Sequence, residues 1–415
     1  MKRNIALIAR ALLIVVIFIS IINPDHVSAA GTVTIQGTVT FQPRNWNPSQ
    51  NNWATGREMQ IDLYERDLAG VEHYLATTTT NGAGYFVFPP MTNWWAPDNR
   101  QLNIFYKVVT AYPNASNPKT ATTDRSFSDY VFASGTNFLS SDGTYTINFA
   151  ISNSWQNYQA LWVYEDVRNA WDYVYNNDYV NGRPYDPGSV TAVWEQGLNC
   201  WPIAFPDWTN INNCASFAYG GILTHFIFIN FDSNNASMDV VAHETGHMFM
   251  INANGYWYTN CRLHYITKAS DANCAWTEGW ADAFPLFVNH DHCYNISAIN
   301  PCQGSPDTNY YDLEAHNVSD NYVDFNWGDY VEGRVAAALY DFYDSNNEGY
   351  DSIWAGFEPI AHIALGPAQI TTFHDFWNQW TYSSGQGTFQ SGLTLWWNTI
   401  GYIYISWTYL PIIMK

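Results

Sequence analysis

Apolar and polar positions alternate with a period of two through the first third of the chain. Residues 33–41 set valine, isoleucine and phenylalanine against Thr34, Gln36 and Thr38, and residues 59–64 repeat the pattern. Residues 102–110 and 145–151 close the set. Asn81-Gly82-Ala83-Gly84 is a turn signal that leads into a strand at 85–88, ended by Pro89-Pro90. A residue pair spaced by two faces the same side of a strand, so this pattern predicts half-buried strands joined by turns. Short strands with turns between them predict an all-β sandwich over residues 31–152.

The periodicity then changes. Leu161, Tyr164, Val167, Trp171 and Val174 recur at helical spacing within 158–175. Strand-like runs follow at 190–194 and 222–231. Residues 237–250, which contain Gly246 but no proline, read as a buried helix. Residues 281–288 read as helical despite Pro285, and 332–343 more clearly so. Helices and strands are thus mixed over 157–405, an α+β pattern. The chain from 393 onward is apolar but carries Asn398, Gly401 and Pro411. It is read as a last packed helix followed by a hydrophobic tail, 406–415, rather than a membrane span.

Composition sharpens this division. Aromatic residues make up 17% of the 415 positions and charged residues only 13%, a balance that favours a packed core over disorder. Lys2, Arg3 and Arg10 precede and enter an apolar run from 11 to 22, and Val27-Ser28-Ala29 offers small residues for cleavage. Residues 1–29 therefore read as a secretory signal peptide, and the protein as secreted. The whole chain carries a formal charge of −21; without Lys2, Arg3, Arg10 and Asp25 it becomes −23. So acidic a surface argues against nucleic acid and anionic membrane as partners. The six cysteines, Cys200, Cys214, Cys261, Cys274, Cys293 and Cys302, fit disulfides in an exported chain. Sequence leaves fifteen pairings open. Pairing of nearest neighbours would close three short loops. No Cys-x-x-Cys spacing points to a thiolate metal site.

The residues that carry chemistry are His243-Glu244-Thr245-Gly246-His247. Two histidines four apart project from one helix face, one turn from each other, and can share one zinc ion. Glu244 then stands beside the metal as a candidate general base. Gly246 weakens a helix by about 0.8–1.0 kcal/mol relative to alanine, and is expected to leave room beside the metal. A third protein ligand is required. Met250 and Ala253 occupy the places where the extended metzincin pattern has glycine and histidine, which excludes that class.

Downstream, Trp276-Thr277-Glu278-Gly279-Trp280-Ala281-Asp282 contains Glu-x-x-x-Asp. Together with the His-Glu-x-x-His element this resembles the gluzincin metallopeptidases, and Asp239-Val240-Val241-Ala242-His243-Glu244 is similar to thermolysin-type members. The resemblance implies a zincin-type fold, with Glu278 as third zinc ligand and Asp282 orienting His243 from behind. It also implies that the run at 222–231 is an edge strand that pairs with extended substrate. The Gly-x-Met-Glu-Asn element of gluzincin aminopeptidases is absent. In the first third, Gly37-Thr38-Val39, Ile61-Asp62-Leu63-Tyr64 and Thr78 to Phe86 resemble a transthyretin-like or Cna-B-type sandwich, which implies a spacer or binding module. Its first strand lacks the lysine used in Cna-B crosslinks.

Weaker signals remain. Tyr330, His316 and His264 are candidates for stabilising an oxyanion, with Tyr330 the first choice. Asp344, Asn346 and Glu348 place oxygens as at the start of a calcium loop, though Ala355 stands where a bidentate glutamate belongs. His290 and His292 form a loop pair that could hold a second metal. Trp46, Trp53, Trp94 and Trp95 could stack on sugars or pack a core. The expected function is secreted, zinc-dependent hydrolysis of peptide or protein substrates, with Ca2+ as a candidate second ion. The alternative is an extracellular binding or adhesive protein whose peptidase half is vestigial. Hydrolysis of another amide or an ester would use the same site.

Overall fold

The structure is a computed structural model. It describes residues 31–402 apart from 46, 113–118, 181, 199–200, 203–211, 214, 221–224, 231–236, 255–260, 262–263, 297–301, 303–309, 315–327, 347–352 and 384–387. The expected signal peptide, the tail at 406–415, Trp46, Cys200, Cys214, His316 and Glu348 lie outside the described residues.

Strand β1 (Thr32–Phe41) buries Val33, Ile35, Val39 and Phe41 and leaves the intervening positions less covered, as its alternation requires. It runs parallel to Gly143–Thr146 and Phe149–Ile151 and antiparallel to Tyr85–Val87. A second sheet has β2 (Gln60–Arg66) between Glu72–Thr79 and β3 (Asn103–Val109), all antiparallel. Ile35 and Val39 from one sheet join Ile61, Leu63, Ile104, Tyr106 and Val108 from the other in one core, a β-sandwich. The strand read at 145–151 is two strands. The break falls at Asn148, whose Oδ1 accepts from the Thr38 N–H at 3.0 Å.

The next sheet draws on both halves of the sequence. β4 (Thr120–Thr123) lies parallel to β5 (Val190–Val193), with Val190 opposite Thr120 and Val193 opposite Thr123. Beyond β5 come β6 (Phe217–Gly220) and β7 (His225–Phe228), in the order β6-β7-β5-β4. β7 is parallel to β5 and antiparallel to β6. The run expected to be an edge strand is therefore interior, and β6 is the outer one. The physical reason lies in pairing rather than in composition. β6 folds back antiparallel on the outer edge of β7 and takes up its hydrogen-bonding groups, while Phe226, Ile227 and Phe228 are buried on the faces of the sheet.

Seven described helices follow the sandwich: α1 (Ala160–Asn177), α2 (Met238–Asn254), α3 (Ala272–Asn289), α4 (Glu332–Tyr343), α5 (Phe357–Ala364), α6 (Phe373–Ser383) and α7 (Thr388–Trp397). α2 packs between α1 and α3, and α3 packs on α4. α3 begins well before the helical segment read at 281–288 and carries Pro285 in its interior. Asp271 caps it by accepting from the backbone of Asn273 and Cys274, which fixes where the helix starts. Among the described residues, no helix is long and apolar enough to cross a membrane.

Candidate metal centre

α2 is buried almost all round, so its polar residues must find partners inside the protein. Ser237 Oγ accepts from the Val240 N–H at 3.1 Å and starts the helix. Asp239, in the first turn, accepts from the Asn295 N–H and side-chain amide, both at 2.7 Å, and from Asn289. These contacts tie the metal helix to the end of α3 and to β8 (Cys293–Asn295). Gly246 does not face the metal side chains. A Cβ there would lie 3.1 Å from Phe284, so glycine allows α2 and α3 to cross closely. The room beside the metal expected from this residue is instead filled by the crossing. Gly279 does the same on the other side of α3, where a Cβ would meet Val335 at 2.6 Å and the Glu332 carbonyl at 2.8 Å.

Those two close crossings bring the chemistry together. His247 Nε2 lies 3.1 Å from His243 Nε2 and 3.0 Å from Glu278 Oε2, and His243 Nε2 lies 3.4 Å from the same oxygen. The Glu244 side chain is buried beside the histidine pair, with a carboxylate oxygen within 4.8 Å of a ring nitrogen of each. His243 Nδ1, on the far side of the ring, is 3.0 Å from Asp282 Oδ1; the approach has ion-pair distance but lies off the hydrogen-bond line.

Three atoms that ligate a tetrahedral ion at about 2.0–2.1 Å stand about 3.3–3.4 Å from one another. The spacings of 3.0, 3.1 and 3.4 Å among the two Nε2 atoms and Glu278 Oε2 suit such a centre. The electrostatics agree. Burial lowers the pKa of His243, but Asp282 and Glu278 outweigh it and hold the ring well above the ordinary value. Burial raises Glu278, and His247 and His243 overcome that to bring it well below the carboxylate range. Glu244 is raised by burial, with the two histidines opposing. The buried carboxyl groups of Glu244, Glu278 and Asp282 on α2 and α3 thus favour positive charge at their centre, as a divalent cation would supply.

Two further residues complete the cluster, and sequence reasoning missed one of them. Glu332, at the start of α4, is buried and places Oε2 3.0 Å from His264 Nδ1. That His264 nitrogen is also 3.8 Å from Glu278 Oε2. Burial lowers the His264 pKa, and Glu332 raises it to about 9. Its side chain is 35% exposed where those of the other members are 3–8% exposed, so His264 sits at the mouth of the cluster. Glu332 had no sequence signal beyond its place at a helix start. Tyr294, also missed, packs its buried ring 5.8 Å from that of His243.

The remaining candidates make contacts of their own. The Tyr330 carbonyl accepts from the Ser270 N–H at 2.7 Å, bracing the segment before α3. Asp344 ends α4 and accepts from the Asn346 N–H at 3.1 Å, a local turn. His290 contacts the Tyr343 hydroxyl at 2.7 Å while His292 contacts Asp312 at 2.7 Å, so the pair diverges. Cys261–Cys274 and Cys293–Cys302 are disulfides, as nearest-neighbour pairing expects. Trp53 donates to Asn51, and Trp95 packs on His73 at 4.8 Å.

The mycolysin C-terminal domain matches residues 185–399, just over half of the chain and inclusive of α2, α3 and α4. The chain belongs to the mycolysin C-terminal domain family. That domain is found in thermolysin-family peptidases, which relates this mycolysin-type chain to proteases. No curated protein matches it. Two solved structures are similar to short stretches. One is a 9R-lipoxygenase from Cyanothece PCC8801, 14% identical over 30% of this chain and 17% of that one, with a TM-score of 0.20. The other is the major plantain pollen allergen, 14% identical over 29% of this chain and 92% of that one, with a TM-score of 0.19. The chain thus spans under a fifth of the lipoxygenase's length, and at these TM-scores neither likeness bears on the mycolysin-type fold.

Proposed function

We propose that the protein is a secreted zinc peptidase in which His243, His247 and Glu278 hold the metal. The observation that carries this reading is the convergence of two imidazole nitrogens and one carboxylate oxygen within 3.0–3.4 Å of one another. Zinc held there supplies Lewis acidity, which polarises a carbonyl and makes water more acidic. Glu244, raised by burial, accepts the proton of the attacking water and passes it to the leaving amine. Asp282 sets a negative charge 3.0 Å from His243 Nδ1, which orients the ring and raises its basicity. Of the oxyanion-donor candidates, His264 has a described contact with the ligand set, through Glu278. Tyr330 keeps its candidacy on the resemblance alone.

Peptide or protein substrates follow from the family, and export from the disulfides and the expected leader. The transthyretin-like reading of residues 31–152 and the calcium reading at Asp344 and Asn346 remain part of the proposal on sequence grounds. The test is metal analysis of purified protein together with cleavage of casein and a peptide library. About one zinc per chain, and cleavage lost to a chelator and restored by zinc, is the expected result. Stoichiometric zinc without cleavage of any peptide would favour another amide or ester as substrate. A chain that binds no zinc returns the vestigial, adhesive reading.

A further inference from the structure

We infer that residues 31–152 are a built-in folding partner of the metal-bearing helices and not a detachable module. The matched domain begins at residue 185, yet the sheet beneath it is incomplete without β4, which comes from residues 120–123. Thr120, Ala121, Thr122 and Thr123 are all buried, and β4 pairs on one edge with β5 and on the other with Ala111–Tyr112. A parallel strand in this position is covered on both faces, and removing it would leave β5 with an exposed edge of unpaired N–H and C=O groups.

Helix α1 provides the second attachment. It packs on β4 and on α2, the helix that carries His243 and His247. Its opposite side is bound to the sandwich by charge. Arg57 lies 2.9 Å from Glu165 and 2.7 Å from Asp172, Arg44 pairs with Asp166, and Arg168 pairs with Glu58 and Asp172. The Arg168 guanidinium is held over the rings of Tyr112 and Trp171, each centroid 4.7 Å away. Backbone groups join the network. Tyr164 OH donates to the Glu58 carbonyl at 2.7 Å, Trp162 Nε1 to the Gln42 carbonyl at 2.8 Å, and Tyr130 OH to the Trp194 carbonyl at 2.5 Å.

These partners are only partly exposed or buried, so separation would strand several charges and hydrogen-bonding groups at once. A linker-tethered spacer has no such ties. The sandwich, β4, α1 and α2 therefore open together, and cutting the chain between the halves leaves them associated. Removing residues 31–152 would destroy the metal centre rather than free it.

The test uses the full chain and does not depend on peptidase activity. A specific protease sequence is inserted between Asn153 and Ser154, in an exposed turn ahead of α1. After cleavage the two fragments are expected to co-elute on native size exclusion and to unfold in one calorimetric transition. In parallel, amide exchange of the unmodified chain is expected to give the same opening for residues 120–123 and for α2. Fragments that separate in native buffer, or two transitions, overturn the inference. So does exchange at 120–123 through an opening that leaves α2 protected, and this second measurement decides the matter if the insertion itself prevents folding.

Discussion

His243 stands between two carboxylates of one helix: its Nδ1 is 3.0 Å from Asp282, and its Nε2 is 3.4 Å from Glu278. Residues four apart on α3 thus hold the two sides of one ring. Substituting Asp282→Asn keeps the volume but removes the charge that orients His243 and raises its basicity. Zinc affinity, measured by competition with a chelator, is expected to fall about 10- to 100-fold. An unchanged affinity would make Asp282 a mere packing residue.

Glu244 is expected to act without holding the metal. Glu244→Gln should retain stoichiometric zinc while peptide turnover drops about 100- to 10,000-fold, because only the proton acceptor is lost. Metal analysis and turnover measured on the same preparation separate this outcome from a collapse of the site. Wild-type turnover in a zinc-loaded variant would remove Glu244 from the reaction.

Much of this site was legible because its spacing is local. His243 and His247 are one helical turn apart, as are Glu278 and Asp282, and local periodicity survives in a linear sequence. What tertiary packing decides was not legible. Glu332 reaches the cluster only because Gly279 lets α4 approach α3, and nothing around Glu332 in sequence announces that contact. The same holds for β4. Its Thr-Ala-Thr-Thr run has no apolar alternation, and its place beside β5 depends on pairing across about seventy residues. The run at 222–231 was legible as a strand but not as an interior one, since neighbours decide which strand is outermost.

The α3–α4 crossing leaves no space for a side chain at Gly279. A Cβ would fall 2.6 Å from Val335 and 2.8 Å from the Glu332 carbonyl, the second of which cannot turn away. Gly279→Ala is therefore expected to destabilise the protein by about 1–3 kcal/mol despite alanine's better helix propensity. It should also weaken zinc binding, because Glu278 is the adjacent residue. Thermal unfolding with the metal removed isolates the packing effect, and a more stable Gly279→Ala protein would show that the helices have room to spare.

Asp239 gives the metal-free protein a pH dependence whose direction can be worked out. Burial pushes its carboxyl up from the ordinary 3.8 to about 7, although Asn295 and Asn289 donate to it. Below pH 3.8 the group is protonated whether the chain is folded or not, so it contributes no slope there. Between 3.8 and about 7 the unfolded chain has released the proton while the folded chain retains it. The folded state binds more protons in that window, so its stability falls as pH rises, and the slope from this group ends above about 7. Urea unfolding of chelator-treated protein at several pH values across the window measures the slope. Asp239→Asn should flatten it. That variant should also be less stable at the acid end by about 1–3 kcal/mol, because one amide oxygen must then serve donors that two carboxyl oxygens had shared. An Asp239→Asn protein with an undiminished slope would assign the pH dependence to other buried carboxyls.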